Sequence, residues 1–435
     1  MKQYLAEYVP RKDRPWNRKA ASQLLRRGGF APSEEEIHAA LHEGPAATVD
    51  RMLTGEESER FRNIDSLGER IAAQNNINLL QGWWLNRCCH AERPLGQRLL
   101  LFWHGHFATS NAKVQNTELM LQQLRTLEKH ADGKFRDMLI AVSRDPAMII
   151  WLDGNDNVKG RPNENYAREL FELFSLGVGN YTETDIKESA RAFTGWHEVN
   201  GAFRFRNRFH DDSVKTVLGT TGNLSGDDII DIALKTPACG KFIACKLLRE
   251  FLTDDPPEEM IEELAEELHL LSFDIGKTVR RLFLSEAMAD PRWYRTRIKS
   301  PVEYVVGIVR SLHLKAGGEV LARLTNDMGQ RIFEPPSVAG WPGHRAWIDS
   351  ATMLVRLNAA YRAVTSNDVF DADLFCEKYK LTGNAAAADF CASLVLDDNI
   401  PAELREKLQG LRGTCPEVTR NALRILFSVP EYQMT

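Results

Sequence analysis

The chain has 435 residues, of which 43% are hydrophobic and 26% charged, and its formal net charge is -5. This length and composition allow one large buried core or two modest ones, and they exclude a disordered chain. The small acidic excess argues against a nucleic-acid partner, because nonspecific binding needs an excess of cations to neutralise phosphates.

Apolar residues recur every three or four positions along most of the chain, for example over residues 20–27, 260–268 and 302–312. This spacing is typical of helices with one buried face. Helix starts are indicated as well, since Thr182 stands three residues before Asp185, as in a capping box. The sequence therefore predicts an all-α, multi-helical protein.

Two histidines, His104 and His106, flank Gly105 at the end of an apolar run. On a helix such side chains point about 200° apart, so they could share a metal ion only if the helix ended at the glycine. We expect Gly105 to end the helix, which would allow a divalent metal site. Proton-carrying histidines and packed structural histidines remain as alternatives.

Residues 153–164 partly fit a calcium-binding loop. Val158 stands where that loop needs glycine, and Lys159 brings a positive charge near the ion. A polar turn that caps the next helix is therefore favoured over a calcium site. The matching ligand positions are Asp153, Asn155, Asn157 and Glu164.

The next predicted helix starts near Asn163 and has a strongly polar face. Glu164, Arg168 and Glu172 follow each other at intervals of four, which stabilises an exposed helix by about 0.2–0.5 kcal/mol per pair. The same face is a candidate cleft wall, where a glutamate beside an arginine would act as an acid or base. Both interpretations stay open.

Residues 201–218 depart from helical spacing, because Phe and Val alternate there with polar residues around Asp211-Asp212. The alternation predicts a small β-hairpin inserted between the helices. His210 and Asp211 on this hairpin are candidate site residues, with a plain turn as the alternative.

A segment rich in Pro and Gly, residues 334–347, contains Trp341 and Trp347. Aromatic side chains in such a loop suit stacking against a sugar ring. With no internal repeat and no Gly/Ser linker, residues 1–435 are predicted to form a single domain, with subdomain seams near 315–318 and 365–368.

The cysteines include no C-x-x-C pair, so neither a disulfide framework nor a structural zinc site is predicted, and a reducing compartment fits best. The first residues form no apolar signal segment, and no later window is apolar enough to span a bilayer. We expect a cytoplasmic protein without membrane association, unless an export signal has been removed. The cysteines are Cys88, Cys89, Cys239, Cys245, Cys376, Cys391 and Cys415.

Short motifs rich in His, Trp, Asn and Glu occur between residues 102 and 341. They are Phe102-Trp-His-Gly-His-Phe107, Asp145-Pro-Ala-Met148, Pro162-Asn-Glu-Asn-Tyr-Ala-Arg-Glu-Leu170, Tyr181-Thr-Glu183, Ala190-Arg-Ala-Phe-Thr-Gly-Trp196, Lys299-Ser-Pro-Val-Glu303 and Pro335-Pro-Ser-Val-Ala-Gly-Trp341. At these residues the chain closely resembles the bacterial family catalogued as domain of unknown function 1800. The resemblance covers nearly the whole chain and implies no established activity.

Two tendencies of that family shape the expected function. Its members are often exported, and they are often encoded beside a second uncharacterised family that looks related to sulfatases and phosphatases. The resemblance therefore implies a carbohydrate substrate, such as a sulfated glycan, or a sulfatase-like partner protein. The chain departs from the family pattern at Cys88-Cys89 and at Gln97, where a glutamate is expected; if that glutamate is catalytic, this member is altered or inactive.

These observations lead us to expect a hydrolase-like enzyme acting on a carbohydrate or sulfated glycan. Glu164 or Glu169 would be the acid or base, and Arg168 and Arg191 would hold an anion, with His104 and His106 as metal ligands or proton carriers. The expected binding residues are Asn163, Asn165, Trp196, His210, Asp211 and Trp341. The alternatives are a noncatalytic binding or assembly partner for a protein or polysaccharide, and a structural hub of buried ion pairs.

Overall fold

The structure is a computed structural model that describes residues 3–397 and 400–435. Helices account for 63% of it, which confirms the predicted all-α class. Within the described ranges, none of the helices combines the length and the apolar character needed to cross a bilayer.

Twelve labelled helices precede the β insertion, and a π-helix, Leu170–Ser175, directly follows the eleventh. They are α1 (Arg18–Gly28), α2 (Glu34–Thr54), α3 (Glu59–Asp65), α4 (Gly68–Ala72), α5 (Ile77–His90), α6 (Pro94–His106), α7 (Asn111–Val114), α8 (Thr117–His130), α9 (Phe135–Ser143), α10 (Pro146–Trp151), α11 (Asn165–Glu169) and α12 (Glu183–Ala192). The predicted capping box is confirmed, since Thr182 and Asp185 exchange hydrogen bonds at the start of α12.

The remaining helices follow the insertion. They are α13 (Gly226–Leu234), α14 (Pro237–Phe251), α15 (Glu258–Leu270), α16 (Ile275–Phe283), α17 (Glu286–Ala289), α18 (Pro301–Leu312), α19 (Gly318–Asp327), α20 (Ser350–Thr365), α21 (Ala372–Lys378), α22 (Asn384–Leu396), α23 (Ala402–Gln409), α24 (Cys415–Ser428) and α25 (Pro430–Gln433). Short 3-10 turns lie at Gly154–Asp156, Asn207–Phe209, Pro291–Trp293 and His344–Trp347.

The insertion contains two antiparallel hairpins, which confirms β structure in this stretch. Strands β1 (Trp196–Val199) and β2 (Ala202–Phe205) pair with each other, as do β3 (Lys215–Val217) and β4 (Thr220–Gly222). The expectation of one hairpin turning at Asp211-Asp212 is wrong. The turns are Asn200-Gly201 and Leu218-Gly219, because these pairs adopt the positive φ that tight hairpin turns require.

Helix α6 is anchored in the core by Trp103. Its ring stacks on Phe107 and Phe135 at centroid distances of 5.7 and 5.4 Å. Its indole N–H donates to the carbonyl oxygen of Ala131 at 2.9 Å. This packing fixes the end of α6, where the two histidines lie.

The two predicted seams are ordinary connections between packed helices. Residues 315–318 join α18 to α19, and residues 365–368 join α20 to α21. Gly318 lies so close to α5 that an added Cβ would be 2.5 Å from the carbonyl oxygen of Gly82. Helix α19 therefore packs directly on α5, and the division into domains stays a prediction.

A buried carboxyl, Asp145, caps α10. Its Oδ1 accepts hydrogen bonds from the Gln123 side chain at 3.0 Å and from the Met148 N–H at 3.1 Å. Its Oδ2 is buried without a hydrogen-bond partner. Burial raises the pKa of Asp145 to about 7. The protonated form is therefore the one that suits this position.

Replacing Asp145 with Asn is expected to stabilise the protein increasingly as the pH rises from about 4 to 8. The folded-state pKa is raised, so the unfolded chain releases its proton first, and the wild type loses stability as the pH rises toward 7. Asn stays neutral at every pH. At pH 8 the free energy of unfolding of the variant should therefore exceed that of the wild type by roughly 1 kcal/mol or more. Urea unfolding at several pH values measures it.

The matched control is Asp349→Asn, at the N-cap of α20. Hydrogen bonds from Thr352 lower the pKa of this exposed carboxyl. Its replacement should therefore not raise the free energy of unfolding at high pH. A similar pH dependence for both variants would contradict the assignment to Asp145.

Candidate functional site

A cavity of about 300 Å³ lies between α6, α14, the start of α18 and the loop of residues 328–349. We call it the tryptophan pocket, and its lining includes Gly105, His106, Lys246, Glu303, Trp341 and Trp347. Lys246 belongs to α14 and Trp347 to the segment rich in Pro and Gly, and the other four belong to three of the motifs noted in the sequence. A larger hollow of about 490 Å³ between α2, α5 and α18 contains none of those motifs.

The two histidines occupy opposite sides of α6. The helix continues through Gly105 to His106, so the expected helix end at Gly105 is wrong. His104 accepts a hydrogen bond at Nε2 from the Phe333 N–H, at 2.9 Å. His106 uses its Nε2 to donate to the carbonyl oxygen of Phe174, at 3.0 Å. The two imidazoles therefore point in different directions, and each is hydrogen-bonded to a different backbone group.

Both imidazoles are neutral near pH 7. Burial lowers the pKa of His104 to about 3. Burial, together with the nearby Lys246 ammonium, holds the pKa of His106 well below its usual range. His106 Nδ1 is buried without a hydrogen-bond partner. His106 Nδ1 can thus accept a hydrogen bond, whereas the lowered pKa disfavours protonation of the ring.

Metal binding has little support in this geometry. Across residues 3–397 and 400–435, no three His, Cys, Asp or Glu side chains are grouped so that they could hold a metal ion. The candidate calcium loop is also occupied by the protein's own contacts. Asp153 pairs with Lys113 at 2.7 Å, Asn155 accepts the Glu198 N–H, and Asn157 bonds two backbone groups.

The floor of the tryptophan pocket is a buried ion-pair network. Glu303 at the start of α18 pairs with Arg98 of α6 and with Arg297, and Arg98 also pairs with Glu250 of α14. Glu303 is 2% exposed and Arg98 is fully buried. Burial alone would raise the pKa of Glu303, but Arg297 and Arg98 lower it to about 2. Glu303 is therefore ionised and held in place.

Lys246 projects from α14 into the same cavity. Its ammonium donates to the carbonyl oxygen of Leu173 at 3.3 Å and lies 4.8 Å from the centre of the Phe242 ring. Burial lowers the pKa of Lys246 to about 8. A lysine with this pKa can exchange a proton near neutral pH.

The π-helix places two carbonyl groups against these side chains. Its wider turn is seen in the Leu176 N–H, which donates to the carbonyl oxygen of Phe171, five residues earlier. The helix ends before later N–H groups can reach the carbonyls of Leu173 and Phe174. Lys246 and His106 bond these carbonyls instead.

The loop 328–349 closes the pocket over α6. Gly340 has φ +77°, and an added Cβ there would lie 2.5 Å from the carbonyl oxygen of Gly105. This contact places the Trp341 ring 5.8 Å from the His104 ring. His344 is held by Asp254, whose Oδ1 lies 2.7 Å from its Nδ1.

The polar face of the predicted helix lies outside the tryptophan pocket. Arg168 pairs with Glu183 at 2.7 Å and with Glu164 at 3.1 Å. Burial and the nearby Glu172 raise the pKa of Glu169. Asn163 accepts the Asn165 N–H, and Asn163 and Glu164 line a shallow hollow of about 540 Å³. None of these side chains lines the tryptophan pocket.

The other candidate residues fasten the hairpins to α12. Arg191 pairs with Asp211 at 2.8 Å and with Glu188 at 2.6 Å. His210 Nδ1 donates to the carbonyl oxygen of Thr194 at 2.8 Å. Trp196 is buried, with the Arg144 guanidinium 5.0 Å from its ring centre. These contacts agree with the structural-hub alternative for this region.

Of the residues expected at the site, the structure brings His106 and Trp341 to one cavity and leaves the acid/base candidates outside it. Sequence reasoning missed Lys246, which belongs to no motif. It also gave no site role to Glu303, although the Lys299–Glu303 motif signalled its region. Gln97 is buried, borders a different cavity and accepts a weak hydrogen bond from the Cys88 thiol.

Comparison with known proteins gives one match. Residues 23–434 match the model of a family described as "Protein of unknown function (DUF1800)". The chain matches none of the curated proteins and none of the solved structures with which it was compared.

Proposed function

Because the chain belongs to the DUF1800 family, whose description assigns no activity, its function must be inferred from its own site, and we propose that the tryptophan pocket binds an anionic carbohydrate. A sulfated glycan is the ligand class that fits best. The protein would act on it as a hydrolase-like enzyme.

One observation carries this proposal: the same cavity combines aromatic rings with cations that the protein does not neutralise. Trp341, which is partly exposed, supplies a flat apolar surface that suits a sugar ring, and the buried Trp347 lines the cavity beside it. Lys246 and Arg249 line the cavity and form no ion pair with any described residue. They are therefore available to a sulfate or carboxylate group.

The proposed chemistry uses Lys246 as the proton-exchanging group. Its pKa of about 8 suits a general acid or base near neutral pH. Glu303 is a poor candidate because two arginines keep it ionised and in place. The assignment of Glu164 or Glu169 as acid or base, with Arg168 and Arg191 as anion holders, stays a prediction for the separate surface around the polar helix.

Noncatalytic binding is the second candidate, and the carboxylates favour it. Glu250 and Glu303, which line the pocket, are both tied to Arg98, and the neighbouring Asp254 is paired with His344. Glycoside hydrolysis usually needs two carboxyl groups with separate roles. A pocket whose carboxylates are already paired suits ligand recognition better than hydrolysis.

Trp341→Ala and Lys246→Met are each expected to weaken binding of a sulfated heparin oligosaccharide by about tenfold or more, because one removes a stacking surface and the other a cation. Isothermal titration calorimetry measures the affinity, with the desulfated oligosaccharide, which keeps only its carboxylates, as the comparison of lower charge. Lys159→Met is the control, since Lys159 is exposed and paired with Asp212.

Unchanged affinity in both pocket variants, or failure of the folded wild type to bind any anionic glycan, would count against the proposal. Release of sulfate or of new reducing ends by the wild type, lost in Lys246→Met, would establish the enzyme. Binding without release would establish the second candidate. A sulfatase-like partner protein and a cytoplasmic location remain predictions from the sequence.

A further inference from the structure

Two free thiols on different helices lie in direct contact. Cys376 belongs to α21, and Cys415 is the first residue of α24. Their Sγ atoms are 2.9 Å apart. A disulfide bond holds its sulfur atoms about 2.05 Å apart, so a small movement of the side chains would bring the two within bonding distance.

We infer that Cys376 and Cys415 form a reversible disulfide site, which a soluble disulfide such as oxidised glutathione converts into a cross-link between α21 and α24. The sequence gives no sign of this pair, because 39 residues separate its members. It is independent of the tryptophan pocket.

The surrounding contacts keep the two thiols facing each other. The Cys376 sulfur lies 3.3 Å from the Thr419 hydroxyl oxygen. Thr419 follows Cys415 by one helical turn, so both lie on the face of α24 that meets Cys376. The Cys415 thiol also donates to the carbonyl oxygen of Leu381, at 3.4 Å. The packing of α21 on α24 thus sets the geometry without an ion or ligand.

The exposure of the two thiols determines which of them reacts first. Cys376 is buried and Cys415 is half-buried, so the oxidant reaches Cys415 first. Its thiolate attacks one sulfur of oxidised glutathione, which forms a mixed disulfide and releases one glutathione thiolate.

The second step closes the cross-link. Cys376 loses its proton and attacks Cys415 Sγ, so the Cys376–Cys415 bond forms and the second glutathione thiolate leaves. Two electrons pass from the cysteines to the oxidant, and the two thiol protons end on the two glutathione molecules. Burial raises the pKa of Cys376 to about 11, which agrees with its role as the second thiol to react.

The test uses the full chain, which is purified in the presence of a reductant. The reductant is then removed, and the protein is incubated with oxidised glutathione. After denaturation in N-ethylmaleimide, peptide mass spectrometry should show Cys376 joined to Cys415 and the other cysteines alkylated. The thermal midpoint should rise on oxidation and return after treatment with dithiothreitol, because a cross-link constrains the unfolded chain.

Two variants make the result specific. Cys415→Ser should abolish both the cross-link and the midpoint shift, and Cys376→Ser serves if that variant does not fold. Cys245→Ser, which changes a half-buried cysteine on α14, should leave both unchanged. Complete alkylation of all cysteines, a mixed disulfide that stops at Cys415, or a cross-link to the neighbouring Cys391 would each overturn the inference.

Discussion

Glu303→Gln is expected to lower the free energy of unfolding by about 3–5 kcal/mol. The substitution keeps the size of the side chain and a group that can serve in the capping box with Ser300. It removes only the charge, which leaves Arg98 and Arg297 buried without the carboxylate that they share. Urea unfolding of both proteins at pH 7 measures the difference.

Glu417→Gln is the matched control, because Glu417 occupies the same position in the capping box of α24 but is exposed to water. Glu417→Gln should lower the free energy of unfolding much less than Glu303→Gln does. The stability difference between Glu303→Gln and the wild type should also shrink in acid. The pKa of Glu303 is lowered to about 2, so its contribution is present above the unfolded pKa near 4.5 and is lost as the pH falls toward 2. Equal effects of the two substitutions at pH 7 would contradict this account.

Gly340→Ala is expected to destabilise the protein by about 2–4 kcal/mol and to abolish ligand binding in the tryptophan pocket. The new Cβ would meet the Gly105 carbonyl oxygen at 2.5 Å, and the residue would be held at φ +77°. The loop can relieve this overlap only by moving away from α6, which displaces Trp341. Urea unfolding and calorimetry with the sulfated oligosaccharide measure the two effects.

Gly329→Ala separates the backbone strain from the overlap. Gly329 lies in the same loop at φ +93°, but an added Cβ there meets no atom within 4 Å. The Gly329→Ala substitution should lower the free energy of unfolding by only about 1–2 kcal/mol and leave ligand binding intact. If both variants lost the same stability, the contact between Gly340 and Gly105 would not be what places the loop.

Much of the fold could be predicted because its signals are local. The spacing of apolar residues marks the helices, and Thr182 with Asp185 marks the start of α12. The end of α6 could not be predicted in this way. Gly105 continues the helix, and the backbone of Gly340, which is distant in sequence, packs against its carbonyl oxygen.

The candidate site was less accessible to sequence reasoning. Trp341 and His106 stood out by residue type and motif. Lys246, by contrast, looks like an ordinary lysine of an amphipathic helix, and only the packing of α14 against the π-helix buries it. The polar helix drew attention by composition, yet Arg168 is matched by Glu183 from the next helix, a pairing that the local spacing does not reveal.

The π-helix has a consequence for chains of slightly different length. Such a turn holds one residue more than an α-helical turn, so the segment Leu170–Ser175 amounts to a single inserted residue. Deleting one residue there would restore α-helical bonding and turn α11 by about 100° relative to the pocket. A homologue without the insertion would therefore turn a different face of α11 toward its neighbours, and the length of this segment indicates which homologues place the polar face of α11 in the same way.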